Sequence, residues 1–176
     1  MIIGATGLGR CGKETFAEYL EEKYGFAHLD FFTDAVKPEL KRRGIKVTRM
    51  NGSILGDKMR KEEGMNVMAK RIFDRIDFTK NTIITGLRSV EEVNYIKKHT
   101  NDFILVEIYA DEDARYKRTG KKQTREDFLK RDKRDIKLKG LGKVIEMADF
   151  RIINNTTKKE FGKNIKEFMK KLGVGK

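Results

Sequence analysis

Five short apolar segments are separated along the chain by stretches in which apolar residues recur at helical spacing. We predict β-strands at residues 1–6, 26–32, 82–85, 103–109 and 150–154. Three of them, around "TIIT", "DFILVEIYA" and "RII", are nearly continuous apolar runs, which is typical of strands covered on both faces. The alternation of strands and helices predicts a parallel sheet with helices on both sides.

The helix predictions rest on spacing and on start signals. Apolar residues form one stripe in residues 12–24 and again in residues 157–172. A Ser or Thr followed three residues later by an acid predicts helix starts at Ser89 and Thr124. These helices occupy the positions that a strand–helix alternation requires.

Two regions depart from the simple alternation. Residues 35–76 form a long helical insertion, and residues 113–147 form a very basic helical stretch before the last strand. Within the insertion, four apolar residues at near-helical spacing are expected in the core: Met59, Met65, Met68 and Ile72. The sequence shows no repeats, low-complexity runs or linkers, so its 176 residues are predicted to form one domain.

The composition adds charge to this picture. Lys and Arg number 40 against 27 acidic residues, a net charge of +13 that favours anionic partners such as nucleotides, nucleic acids or acidic membrane surfaces. The alternative is that the net charge only reflects a lysine-rich surface exposed to solvent. The single cysteine, Cys11, excludes an intramolecular disulfide and a cysteine-rich zinc site. The apolar runs are too short to cross a bilayer, and the start lacks signal-peptide features, so we expect a cytoplasmic protein without a membrane partner.

A glycine-rich loop follows the first predicted strand and opens the first helix. It has the phosphate-loop pattern G-x-x-x-x-G-K at Gly7, Gly12 and Lys13. Glycines let successive N–H groups point inward, the helix start adds its positive dipole end, and Lys13 would reach the β- and γ-phosphates. The alternative is a glycine-rich turn that binds nothing. The predicted nucleotide-binding residues of the loop are Gly7, Leu8, Gly9, Arg10, Cys11, Gly12, Lys13, Glu14 and Thr15.

Glu14 stands where the usual pattern has a Ser or Thr hydroxyl that touches Mg²⁺. A carboxylate beside a triphosphate repels it unless a metal ion lies between them. Glu14 is therefore either a direct or water-mediated Mg²⁺ ligand or a side chain that points into solvent.

Five segments together resemble a known family. The loop ending "GKET" is similar to the "GK-x-T" of nucleoside-monophosphate kinases such as adenylate kinase, and "FFTDAVK" and "ITGLRSVEEV" resemble the segments after their second and third strands. The basic "RYKRTGKKQTREDFLKRDKRD" resembles their lid, and "ADFRIINN" resembles the last strand of dephospho-CoA kinases. Over most of its length the chain resembles P-loop kinases of the archaeal adenylate-kinase-related and dephospho-CoA-kinase-like type.

The resemblance implies a three-layer α/β/α sandwich with a five-stranded parallel sheet. In this P-loop nucleotide-kinase architecture one domain has a core of residues 1–34, 80–112 and 140–176. Residues 35–79 would be a helical acceptor-binding insertion, and residues 113–139 a short basic lid.

The resemblance also assigns the acceptor side. Asp34 would accept the proton of the attacking hydroxyl, Lys37 would hold the acceptor's phosphate, and Arg88 would clamp it, since a planar guanidinium suits bidentate contact. Asp34 could instead merely cap the following helix, in which case Asp30 is the alternative acid.

Thr85 replaces the aspartate that supports Mg²⁺ in the family. Together with Glu14 it suggests an exchange, in which Glu14 supplies the charge and Thr85 the hydroxyl at one metal ion, because the first and third strands are expected to be neighbours. The competing explanation is a degraded metal site with slow or absent catalysis.

The lid offers five arginines that could reach the transferring phosphoryl group: Arg115, Arg118, Arg125, Arg131 and Arg134. Arg118 and Arg131 are predicted to be catalytic, and Arg115 to bind the nucleotide. A solvated basic helix with internal Asp–Arg pairs is the alternative for each single arginine. Asn154 is predicted near the adenine ring, by resemblance.

These features predict an ATP- and Mg²⁺-dependent phosphotransferase that moves the γ-phosphoryl group to a small phosphorylated acceptor. A nucleoside monophosphate is the preferred acceptor and dephospho-CoA the second. Alternatives are a nucleotide-switched RNA-binding or assembly factor, for which no RNA-binding motif is present, and a weakly catalytic ATP sensor. The motifs give neither a preference between ATP and GTP nor an oligomeric state.

Overall fold

A parallel sheet forms the centre of the molecule. The computed structural model describes residues 1–120, 123–137 and 140–174. Across that part of the chain the sheet has five strands in the order β2-β3-β1-β4-β5, all paired in parallel. The strands are β1 (Ile2–Thr6), β2 (Ala27–Asp30), β3 (Thr82–Thr85), β4 (Phe103–Tyr109) and β5 (Phe150–Ile153). The predicted parallel sheet, with the first and third strands as neighbours, is confirmed.

Helices cover both faces of the sheet. Within the described residues they are α1 (Lys13–Tyr24), α2 (Lys37–Arg42), α3 (Arg49–Glu63), α4 (Val67–Phe73), α5 (Val90–His99), α6 (Glu112–Lys117), α7 (Arg125–Lys137), α8 (Leu141–Glu146) and α9 (Lys158–Lys171). One apolar core lies between the sheet and α1 with α9 and includes Phe16 and Phe161. The other lies between the sheet and the insertion helices with α5 and α8, and includes Met68 and Val144. The predicted three-layer sandwich is therefore confirmed.

The predicted helix starts are found where the capping residues put them. Ser89 accepts a hydrogen bond from the Glu92 N–H, and the Glu92 carboxylate accepts from the Ser89 N–H, which completes the capping box of α5. The Thr124 hydroxyl accepts from the Asp127 N–H at the start of α7. Among the described helices none is long and apolar enough to span a membrane.

Three details differ from the sequence predictions. β2 ends at Asp30 rather than residue 32, because the Asp30 carboxylate accepts from the Thr33 N–H at 2.9 Å and the chain turns into a π-helical segment, Phe31–Val36. β5 is not covered on both faces: it is an edge strand, and Ile153 is 51% exposed. Met65 is outside the core, because it lies between α3 and α4.

The predicted lid and core extend slightly beyond what the structure covers. Residues 121–122 and 138–139 of the predicted lid, and residues 175–176 of the predicted core, lie outside the described residues. In the described part the lid region holds α6 and α7, and the insertion holds α2, α3 and α4. The division into core, insertion and lid stays a prediction about function.

Candidate active site

The glycine-rich loop connects β1 to α1 through unusual backbone angles. Gly7, Arg10 and Gly12 all have positive φ angles, of 135°, 66° and 108°. A Cβ atom on Gly7 would collide with the backbone oxygen of Ile108, and one on Gly12 would collide with the side-chain amide of Asn154. Glycine is therefore required at both ends of the loop. Arg10 holds a left-handed angle that is costly for a non-glycine residue, so neighbouring contacts must maintain it.

The Lys13 ammonium lies against this loop. Its Nζ donates to the Gly7 carbonyl at 2.7 Å and to the Leu8 carbonyl at 3.1 Å, and lies 3.5 Å from the Cys11 sulfur. Lys13 begins α1, so the charge stands at the positive end of that helix. The buried Cys11 fills the space beside it.

Side chains from two other parts of the chain hold the outer side of the loop. Arg115 of α6 donates to the Gly9 carbonyl at 3.3 Å, and Arg118 donates to the Arg10 carbonyl at 3.1 Å. The Asn154 amide donates to the Cys11 carbonyl at 2.7 Å. Because the C=O and N–H of a trans peptide point in opposite directions, fixing these carbonyls aims the amides of the following residues to the other side.

Asn154 and Arg118 form one unit. Arg118 Nη2 donates to the Asn154 carbonyl at 2.6 Å, and Asn154 is only 8% exposed. The structure thus brings these two predicted residues to the loop, where they contact protein backbone. Their predicted contact with a nucleotide stays a prediction.

A hydrogen-bonded group lies at the carboxyl ends of β2 and β3. The Thr85 hydroxyl donates to the Asp30 carboxylate at 2.9 Å, and His28 Nε2 lies 2.9 Å from the same hydroxyl. His28 Nδ1 is 3.4 Å from the exposed Glu21 carboxylate of α1. No functional role was predicted for His28; the signal in the sequence is the alternation that puts His28 and Asp30 on one face of β2.

Glu14 and Thr85 differ in exposure and in hydrogen bonding. Glu14 is exposed on the first turn of α1, and its carboxylate has no hydrogen bond or ion pair to any other residue in the described part of the chain. Thr85 is fully buried, and its hydroxyl already contacts Asp30 and His28. No cluster of three or more His, Cys, Asp or Glu side chains suited to a metal ion occurs among the described residues. A shared metal ion at Glu14 and Thr85 stays a prediction.

Arg88 follows β3. Within residues 1–120, 123–137 and 140–174, no side chain or backbone carbonyl accepts a hydrogen bond from its guanidinium. Its backbone N–H donates to the Glu92 carboxylate at 2.7 Å. Burial lowers the pKa of Arg88, and Asp135 opposes that effect. Arg60 and Arg131 add further positive charge nearby and lower the pKa as well. Glu92 lies in the same cluster, raises the pKa of Arg88, and pairs with Arg60 at 2.7 Å. The predicted contact of Arg88 with an acceptor phosphate stays a prediction.

Asp34 lies on the π-helical segment. Its Oδ2 accepts from the Asp30 N–H at 2.7 Å, and its Oδ1 is 3.6 Å from Arg75 Nη1. It lines an open cleft of about 350 Å³ together with Arg71 and Arg75. Lys37 follows at the first position of α2.

The five lid arginines have different environments. Arg115 is buried and forms an ion pair of 2.6 Å with Asp132. Arg125 pairs with Glu112 and Asp113 of α6, not with an aspartate of its own helix. Arg131 and Arg134 are both exposed on α7.

Arg131, in the predicted lid, lies beside the glycine loop as Arg115 and Arg118 do. A Cβ placed on Gly9 would lie 3.7 Å from its guanidinium carbon. The nearby Asp135 is 7% exposed, and its Oδ1 has no hydrogen-bond partner among the described residues. Sequence reasoning treated Asp132 and Asp135 only as available pairs for arginines; their spacing of three puts both on the inner face of α7.

No protein-family model matches the chain. A UPF0200 protein of Methanocaldococcus jannaschii is 32% identical over 165 residues, which cover 88% of this chain and 81% of that protein. The chain belongs to the UPF0200 family. A second UPF0200 protein, from Thermoplasma acidophilum, is 30% identical and covers 91% of this chain and 90% of its own length.

Solved structures similar to this UPF0200 chain include small-molecule kinases. A shikimate kinase from Aquifex aeolicus superimposes with a TM-score of 0.59 at 17% identity and covers 100% of both chains. A gluconokinase from Sinorhizobium meliloti gives 0.59 at 11% identity and covers 97% of this chain and 91% of its own. This similarity establishes the P-loop kinase fold. The finer resemblance to adenylate and dephospho-CoA kinases is not tested by it.

Proposed function

We propose that this UPF0200 protein is an ATP-dependent phosphotransferase that moves the γ-phosphoryl group to a small acceptor already carrying a phosphate. The glycine loop carries the proposal: side chains hold its carbonyls at Gly9 and Cys11 from the outer side, so that the Arg10 and Gly12 N–H groups point to the opposite side, where an anion would bind. The Cys11 N–H instead donates to the Leu8 carbonyl at 3.4 Å. The similarity in fold to shikimate kinase and gluconokinase supports the same class of reaction.

The donor side uses the loop and the start of α1. Loop amides and the Lys13 ammonium would bind the β- and γ-phosphates. Mg²⁺, when bound, would neutralise phosphate charge. The carboxylates of Glu14 and Asp30 are the kind of oxygen donors that this ion requires. The Thr85 hydroxyl already donates a hydrogen bond to Asp30, so it is better suited to supporting that carboxylate than to binding the ion.

The acceptor side uses Arg88. The Arg88 guanidinium is largely desolvated and has no hydrogen-bond acceptor among the described residues, which is costly for the folded protein, and a bound phosphate would offset that cost. Lys37 is the second proposed contact. Because two cations then lie outside the donor site, a nucleoside monophosphate is the first choice of acceptor and dephospho-CoA the second.

Asp30, rather than Asp34, is the acid that we assign to orienting the acceptor hydroxyl or phosphate. A Cβ on Gly86 would lie 3.4 Å from Asp30 Oδ2, so this carboxylate adjoins the segment that carries Arg88. Asp34 instead holds the Asp30 N–H and faces Arg75. Comparing turnover of Asp30→Asn and Asp34→Asn tests the assignment: a larger loss in Asp34→Asn would reverse it.

The proposed function is tested by incubating the chain with ATP labelled on the γ-phosphate, Mg²⁺ and a panel of nucleoside monophosphates plus dephospho-CoA. A labelled product that disappears in Lys13→Met supports the proposal and identifies the acceptor. Label released only as inorganic phosphate, with every acceptor, would contradict it. The same ATP with shikimate and gluconate serves as a control for the acceptors named in the similar structures.

A further inference from the structure

The middle of the glycine loop is attached to helix α7 through one buried guanidinium. Arg115 Nε donates to the Ala110 carbonyl at 3.0 Å, which fixes the plane of the group. Arg115 Nη1 then contacts the Gly9 carbonyl at 3.3 Å and Asp132 Oδ2 at 2.6 Å. The side chains of Arg115 and Asp132 are 5% and 10% exposed. Loop, guanidinium and α7 therefore form one continuous contact.

An aromatic ring of α7 packs against the Arg115 guanidinium. The Arg115 guanidinium carbon lies 5.0 Å from the ring centre of Phe128, which is one helical turn before Asp132 on α7 and 2% exposed. A charge pair shielded from water is not screened as a surface pair is, and leaving one partner alone is costly. Arg131, next to Asp132, stands over Gly9 from the same helix.

The loop needs such a support because of Arg10. Its φ of 66° is unfavourable for a non-glycine residue, and the peptide between Gly9 and Arg10 can escape that angle by rotating. Rotation would break the bond from Arg115 to the Gly9 carbonyl and would turn the Arg10 N–H away from an anion. The Asp132–Arg115 pair opposes that rotation.

We propose that Asp132 is a positioning residue: by holding Arg115 against the Gly9 carbonyl, it couples the position of α7 to the ability of the glycine loop to bind phosphate. The coupling is reciprocal, so a polyphosphate in the loop holds α7 in place. The inference rests on the proposed function, since it takes the loop to be the phosphate site.

The test measures binding of inorganic tripolyphosphate, which has no base and undergoes no transfer, and of adenosine, which has no phosphate. In Asp132→Asn we expect the dissociation constant for tripolyphosphate to rise about 10-fold, within the range usual for coupled sites, while that for adenosine stays unchanged. Glu126→Gln is the matched control, since it removes one exposed negative charge from the same helix and should leave both constants unchanged.

A second variant separates positioning from a general loosening of the fold. Arg10→Gly removes the cost of the left-handed φ angle. In that background, adding Asp132→Asn should raise the dissociation constant for tripolyphosphate by no more than about 3-fold. Equal losses in both backgrounds, an equal loss for adenosine, or no loss in Asp132→Asn would each overturn the inference while leaving the proposed function standing. Absence of tripolyphosphate binding by the unaltered chain would overturn both.

Discussion

The Thr85 hydroxyl on β3 donates a 2.9 Å hydrogen bond to the Asp30 carboxylate on β2. The two residues are direct partners in the parallel register, so the sheet itself sets their separation. His28, two residues before Asp30, approaches the same hydroxyl at 2.9 Å. The position at which related sequences were expected to carry an aspartate therefore carries a hydroxyl that supports a carboxylate on the neighbouring strand.

Replacing Thr85 with Val keeps the shape and removes the hydroxyl. Because Asp30 and His28 lose a buried partner, we expect the free energy of unfolding to fall by about 1–3 kcal/mol. Turnover should fall about 10- to 100-fold, since small displacements of a reacting group are costly. Urea unfolding and a steady-state assay measure the two effects. Thr85→Ser retains the hydroxyl and should restore most of both; a Val variant with full turnover would show that Asp30 needs no such support.

Replacing Glu14 with Gln tests its proposed role at Mg²⁺. The change removes a carboxylate that is exposed and unpaired within the described residues, so stability should hardly change. We expect the Mg²⁺ concentration for half-maximal turnover to rise about 10-fold, as a neutral amide is a poorer ligand for this ion. Glu18→Gln, one turn further along α1, is the control. Unchanged Mg²⁺ dependence in Glu14→Gln would remove Glu14 from the metal site.

Arg88→Met is expected to separate stability from function. Removing a desolvated charge should leave the free energy of unfolding unchanged or raise it, because burial disfavours that charge in the folded state. The KM for the acceptor should rise about 10- to 100-fold through loss of a charge-assisted contact. Arg134→Met removes an exposed cation from α7 for comparison. A strongly destabilised Arg88→Met with normal KM would identify Arg88 as a structural residue.

The Glu39 carboxyl is expected to make the free energy of unfolding depend on pH. Hydrogen bonds from Arg42, with Arg43, lower the pKa of this buried carboxyl to about 2 from an ordinary 4.5. A carboxyl with a lowered pKa in the folded protein stabilises it above the unfolded pKa, and that contribution is lost as pH falls from about 4.5 toward 2.

Denaturant unfolding at pH 6 and pH 3 measures this effect. Glu39→Gln should be less stable than the unaltered chain at pH 6, and the difference should shrink at pH 3. Glu91→Gln, at an exposed position on α5, should show no such convergence. A constant difference at both pH values would exclude the ion pairs as its cause.

Local patterns were enough for the sheet and its helices. The near-continuous apolar strands required cover on both faces, and the Ser89 and Thr124 signals placed helix starts correctly. The same patterns failed at β5 and at Met65, because an apolar run does not reveal that a strand lies at an edge or that a residue falls between two helices.

Part of the candidate site could likewise be predicted from local patterns, and part could not. Spacing alone located the loop from Gly7 to Lys13, since a strand, a glycine turn and a helix start follow each other along the chain. Which carboxylate stands beside Thr85, and which arginines face the loop's carbonyls rather than open solvent, depended on residues more than 50 positions apart.

By itself the sequence determined a parallel α/β domain with a glycine-rich phosphate-loop pattern after its first strand. Both can be read from the sequence because periodicity and turn chemistry depend on residues that are close along the chain. The tertiary structure decided that Asp132 reaches Gly9 through Arg115 and that Asp30 is supported by Thr85. Such contacts arise only when folding brings distant side chains together, because a charge or hydroxyl that loses water is stabilised by a partner from another part of the chain.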